Sequence, residues 1–185
     1  MNHNLFFPNY DSLNRELENL EELTKSKDKK NNRKKGKALE KFASLIFSFC
    51  VNYEGYEDVN TKTNQIDIKI NLKPIPFPEP FITHLGYTII VECKNENHSV
   101  SSREVDNLST LLTDYDSKLG IFLSRKDISG NSNEDGKRRA INQYYAHKHT
   151  IICITFDEIK KRVIENKESF ICLIEEKYNE FHDSK

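Results

Sequence analysis

The stretch GYTIIVECKN, residues 86–95, limits the fold more than any other part of the chain. Tyr87, Ile89, Val91 and Cys93 fall on one side of an extended strand, and Thr88, Ile90, Glu92 and Lys94 on the other. Both sides are apolar until Glu92, so the strand must be covered on both faces and lie centrally in a sheet. Its polar pair emerges at the C-terminal end. Around it, LGIFLS (119–124) and TIICITF (150–156) read as further buried strands. TNQIDIKI (63–70) reads as a half-buried one, in which Ile66, Ile68 and Ile70 alternate with Asp67 and Lys69. EGYEDV (54–59) predicts a turn and the start of an edge strand.

Helical spacing fills the intervals. Leu13, Leu17, Leu20 and Leu23 mark a helix over 11–24, and Leu39, Phe42, Ala43, Ile46, Phe49 and Cys50 share one face over 37–50. Glu40 lies about 100° around from Leu39, at the rim of that face. Ser101 and Glu104 have capping-box spacing ahead of a stripe of Val105, Leu108, Leu112 and Tyr115. Residues 133–148 predict a helix with Ile141, Tyr144 and Tyr145 inward, and 156–180 a mostly helical end with Phe170, Ile171, Leu173 and Ile174 in the core. Gly120 permits close packing near the start of its strand. Pro74, Pro76, Pro78 and Pro80 exclude regular structure from the segment before residue 86. Strands joined by crossover helices pair in parallel. The expected fold is α/β, a mixed central β-sheet flanked by helices, with an N-terminal helix and C-terminal helices. Residues 1–32 read as the N-terminal helix and a basic connector, and 33–185 as the main domain.

With 28 basic against 29 acidic residues, the chain carries no overall charge signal for nucleic acid. Basic residues are instead concentrated in KSKDKKNNRKKGK, residues 25–37, read as a solvated connector or a phosphate-contacting arm. No apolar run approaches the roughly 20 residues of a membrane helix, and the first residues lack a secretory pattern, so a cytoplasmic protein is expected. Four widely spaced cysteines, Cys50, Cys93, Cys153 and Cys172, without a Cys-x-x-Cys pair, read as buried reduced thiols rather than a zinc site. His147 and His149 read as surface residues.

Asp67 is the anomaly, a carboxylate amid isoleucines. It either faces water or meets other acids. Glu92 and Lys94, two residues apart on a strand, point the same way at about 6–7 Å spacing. If the Asp67 strand pairs with theirs, two carboxylates form an oxygen-rich pocket suited to Mg²⁺ or Mn²⁺, beside a lysine that can orient water or stabilise charge on a reacting phosphate. The bland alternative is an exposed salt bridge.

Asp67 in QIDIKI, Glu92-Cys93-Lys94 in IIVECKN, and Glu40 in KGKALEKFASLIF together resemble the restriction-endonuclease-like nucleases of the PD-(D/E)xK type. GIFLSRKDISG followed by KRRAINQYYAHKHTIICITFDEI looks like the later strand-helix-strand of the Mrr-like branch. The resemblance spans roughly residues 33–160. It implies an αβββαβ-type core in which Asp67, Glu92 and the Cys93 backbone carbonyl bind a divalent metal, Mg²⁺ with Mn²⁺ able to substitute. Glu40 would support the metal, and Lys94 would act on the attacking water. It further implies an endonuclease acting on DNA, with RNA left open, in a restriction or anti-phage setting, as a homodimer or one subunit of a larger defence complex. Lys34, Lys35, Lys37, Lys69, Arg125, Lys137 and Arg138 are the candidate nucleic-acid contacts. Lys137, Arg138 and Arg139 are unusual in opening a helix, where the dipole disfavours cations. Two rival readings are an inactive module of the same fold that binds nucleic acid or a protein, and a regulatory protein whose N-terminal helix pairs with another chain.

Overall fold

A computed structural model describes residues 9–25, 32–48, 53–60, 65–72, 81, 85–130 and 135–185. They form one five-stranded sheet in the order β1 (Tyr53–Asn60), β2 (Gln65–Leu72), β3 (Thr88–Lys94), β4 (Leu119–Ser124) and β5 (Thr150–Thr155). β1, β2 and β3 pair antiparallel; β3, β4 and β5 pair parallel. Parallel neighbours need crossovers, and α3 (Ser102–Asp114) and α4 (Gly136–His147) provide them. Two helices precede the sheet, α1 (Tyr10–Lys25) and α2 (Asn32–Ser48). α5 (Phe156–Glu158) runs into π-helical turns over Ile159–Glu165, and α6 (Phe170–Asp183) follows. The mixed α/β sheet flanked by helices is as the strand patterns require. No helix among the described residues is long and apolar enough to cross a membrane.

β3 is sealed on both faces. Ile89 and Val91 join one apolar cluster with α1, α2, the π-helical turns and α6, and Ile90 joins a second with α3 and α4. Leu13, Leu17 and Leu20 of α1 are fully covered within the first cluster, so the leucine spacing is satisfied on its own chain.

Local departures from the sequence expectations have simple causes. Residues 54–59 hold no turn and lie inside β1, at the sheet edge. α2 begins at Asn32, so the end of the basic run is helical; lysine and arginine are good helix formers. Phe47 joins its buried stripe, while Phe49, Cys50 and the four prolines lie outside the described residues. Tyr145 is exposed and Ala140 takes the inward position, because adjacent tyrosines cannot share a helix face. Cys172 is exposed, off the Phe170, Leu173, Ile174 stripe. His149 is buried rather than superficial; its Nδ1 lies 2.8 Å from Ser109 Oγ on α3. Burial lowers its pKa first, with His147 acting in the same sense. Lys167, in the left-handed region at φ 59°, lies in the break before α6.

Gly120 sets the spacing of the α3 layer. A Cβ there would stand 2.9 Å from Leu108 Cδ2 and 3.2 Å from Leu112 Cδ1. Gly120→Ala is therefore expected to destabilise the protein by about 1–3 kcal/mol. Urea denaturation checks this, and an unchanged midpoint would show that α3 can move away freely.

Candidate active site

β2 runs against β3, so β2 begins where β3 ends. The ladder runs from Asn71↔Thr88 to Ile68↔Val91, and the next positions are Asp67 and Glu92. There the backbone ladder gives way to a side chain: the Cys93 N–H donates to Asp67 Oδ2 at 2.8 Å. In a strand the N–H and C=O of one residue share an edge. The Cys93 carbonyl therefore faces the Asp67 side, while the next carbonyl, of Lys94, turns to β4 and accepts from the Arg125 N–H at 3.2 Å.

Lys94 stands between two acids, with Nζ 3.8 Å from Glu92 Oε2 and 3.7 Å from Glu104 Oε1. Glu104 closes the capping box of α3. Its Oε2 accepts from Ser101 N–H and Ser101 Oγ, both at 2.8 Å, which leaves Oε1 toward Lys94. Burial opposes ionisation of Glu104, but the Ser101 bonds, Lys94 and His98 together hold its carboxyl below the usual range. Glu92 goes the other way. Burial first, then the charge of Asp67, with Glu104 adding to it, push Glu92 up to about 7 against the pull of Lys94.

Glu40 approaches from the α2 side. The half-buried Cys93 thiol lies within the field of Asp67, Glu92, Glu40 and Lys94 together. Burial is the largest of the effects that raise its pKa; the three acids add to it, and Lys94 opposes. Asp67, Glu92 and Lys94 thus meet at one strand end, and Glu40 lies within electrostatic reach of Cys93 beside them. Glu104 was legible there only as a cap, because its approach to Lys94 depends on how the β3–α3 connection returns. Between β3 and α3 opens a cleft of about 320 Å³, bordered by Glu92, Lys94, Glu104, Asn107 and Thr110.

The basic residues are dispersed. Lys34 and Lys37 are exposed and Lys35 half-buried near the start of α2, the helix that carries Glu40. Lys69 places Nζ 5.0 Å from the centre of the Tyr115 ring. Lys137 and Arg139 face the carboxylates of Asp127 and Asp106, which accounts for two of the cations at the start of α4. Arg138 is exposed there, and its N–H donates to the cap residue Asp135. Arg125 lies at the end of β4, with Nε donating to Asn95 Oδ1 at 2.9 Å.

A family model described as a restriction endonuclease, the Mrr catalytic domain, matches residues 35–161. The chain belongs to the restriction endonuclease family. This is a family of nucleases, and the matched span runs from α2 through the whole sheet to the π-helical turns, taking in Glu40, Asp67, Glu92 and Lys94. No curated protein and no solved structure matches the chain.

Members of the family generally use divalent metals, and the donor set of this endonuclease-family chain fits one. Among the described residues no three His, Cys, Asp or Glu side chains form a ready cage. The donors on offer are two carboxylates and a carbonyl, all hard oxygen ligands, as suits an ion that keeps several of its waters. Burial is the main cause of the raised Glu92 pKa and the charge of Asp67 the next; a cation between the two carboxylates would relieve that second effect.

Proposed function

We propose that the chain is a Mg²⁺-dependent endonuclease that hydrolyses phosphodiester bonds of DNA. One observation carries the reading: Asp67 and Glu92 meet at a strand end with the Lys94 ammonium beside them. An ordinary surface ion pair needs one acid, not two in repulsion.

In this reading Asp67, Glu92 and the Cys93 carbonyl would hold the metal, with Glu40 in support from α2. A bound divalent ion would supply charge neutralisation at the phosphate and a more acidic water. The chain's own groups do the rest. The Cys93 N–H fixes the Asp67 carboxylate, and Glu104 holds Lys94 at the mouth of the cleft. Lys94 orients the attacking water and donates to the phosphate oxygen as charge develops there. The family resemblance suggests a restriction or anti-phage role, in which cutting both strands of a duplex would take two copies or a partner subunit.

The test is incubation of the full chain with supercoiled plasmid DNA, and in parallel with RNA, in Mg²⁺ or Mn²⁺. Nicked or linear DNA that disappears with EDTA is the expected result. Intact DNA and RNA in both metals overturn the reading, and cleavage of RNA alone reassigns the substrate.

A further inference from the structure

β3 and β4 end side by side, with Lys94 in register with Ser124. The following residue, Arg125, is tied twice to the strand that carries Lys94. Its N–H donates to the Lys94 carbonyl, and its Nε donates to Asn95 Oδ1. Lys137, Arg139 and Arg162 each meet a carboxylate, whereas the side-chain partner of Arg125 among the described residues is a neutral amide. A guanidinium has five N–H donors. An amide on Nε fixes the plane of the group and leaves its full positive charge in place.

A guanidinium oriented in this way at the carboxyl ends of parallel strands, with a neutral side-chain partner among the described residues, is well placed for an anion, since open α/β sheets bind ligands there. Its planar fork matches phosphate oxygens in pairs. Acids surround the neighbouring Lys94, so a polyanion drawn to that centre needs a cation at its edge. We propose that Asn95 and Arg125 form a phosphate-binding site that grips a phosphodiester of the bound strand next to the one presented to Lys94. Arg125 contacts the phosphate, and Asn95 is the positioning residue that aims it. This site rests on the nuclease reading and specifies its hold on DNA.

The experiment measures binding of the full chain to a fluorescent DNA duplex by anisotropy across a salt series, with Ca²⁺ in place of Mg²⁺. Arg125→Gln is expected to weaken binding about tenfold or more and to lower the slope of log affinity against log salt by about one. Asn95→Ala keeps every charge, so it should weaken binding severalfold at an unchanged slope. Thermal melting establishes that each variant is folded, and Arg125→Lys serves as a second probe, retaining the charge while losing the fork. Unaltered affinity in Asn95→Ala or Arg125→Gln overturns the site, as does a wild-type chain that binds no DNA. Cleavage in Mg²⁺ is scored separately. Cutting that persists with binding unaffected by the variants removes this site alone, whereas binding that responds as expected without any cutting removes the enzymatic reading alone.

Discussion

Asp67→Asn is expected to lower the rate of DNA cleavage by about three orders of magnitude while the protein stays folded. The magnitude follows from losing a charged group at the reacting centre, where preorganised electrostatics is the largest contribution to rate. The choice of variant separates charge from scaffold. Asn retains an oxygen that can accept from the Cys93 N–H, the bond that shapes this strand end, and loses only the negative charge. Lys94→Ala is expected to cost about two to three orders of magnitude, with the loss in kcat rather than in binding. Single-turnover cleavage of plasmid DNA in Mg²⁺ is the measurement. Undiminished cutting by either variant would remove Asp67 or Lys94 from the site and place the chemistry elsewhere on the sheet.

Glu92→Gln should stabilise the metal-free protein. Glu92 titrates at about 7 in the folded chain, above its ordinary 4.5. The folded state therefore binds more protons than the unfolded one in that interval, and stability falls as pH rises through it. Above pH 7 the full penalty is present, on the order of 3 kcal/mol for a shift of this size. Gln resembles the protonated acid and has no charge to bury. In EDTA, the variant should be more stable than wild type by up to about 3 kcal/mol at pH 8, with the difference vanishing below pH 4.5. Urea denaturation at the two pH values decides it; equal stability at pH 8 would show that water reaches Glu92 freely. A residue that destabilises the metal-free chain and is still present is what a functional site predicts.

The sheet was legible because β3 announces itself. Ile89, Ile90 and Val91 in succession leave only a strand covered on both faces, and Glu92 and Lys94 then mark where the cover ends. The meeting of Asp67 with Glu92 was legible only on the condition that β2 pairs with β3; the register, Ile68 opposite Val91, is what puts both acids on one face, and alternation does not set it. What the sequence hid depends on contacts between distant segments. Glu104 looked like a helix cap and nothing more, because the carboxylate oxygen that meets Lys94 is the one not used by Ser101. The cations of α4 looked unbalanced, because Asp127 and Asp106 lie on other elements. His149 looked superficial, because its partner Ser109 is on α3. Arg125 was one cation of several until its Nε was found on Asn95.

The antiparallel pairing of β2 with β3 also bears on how such a chain can vary. Asp67 and Glu92 occupy one end of that pair, and the segment joining Leu72 to Thr88 attaches at the other. The entropy of closing a loop grows slowly with its length, by about 0.6 kcal/mol for each doubling. An insertion that spares Phe81 and the core residue Leu85 would leave the reacting groups where they are and add new surface without touching the chemistry.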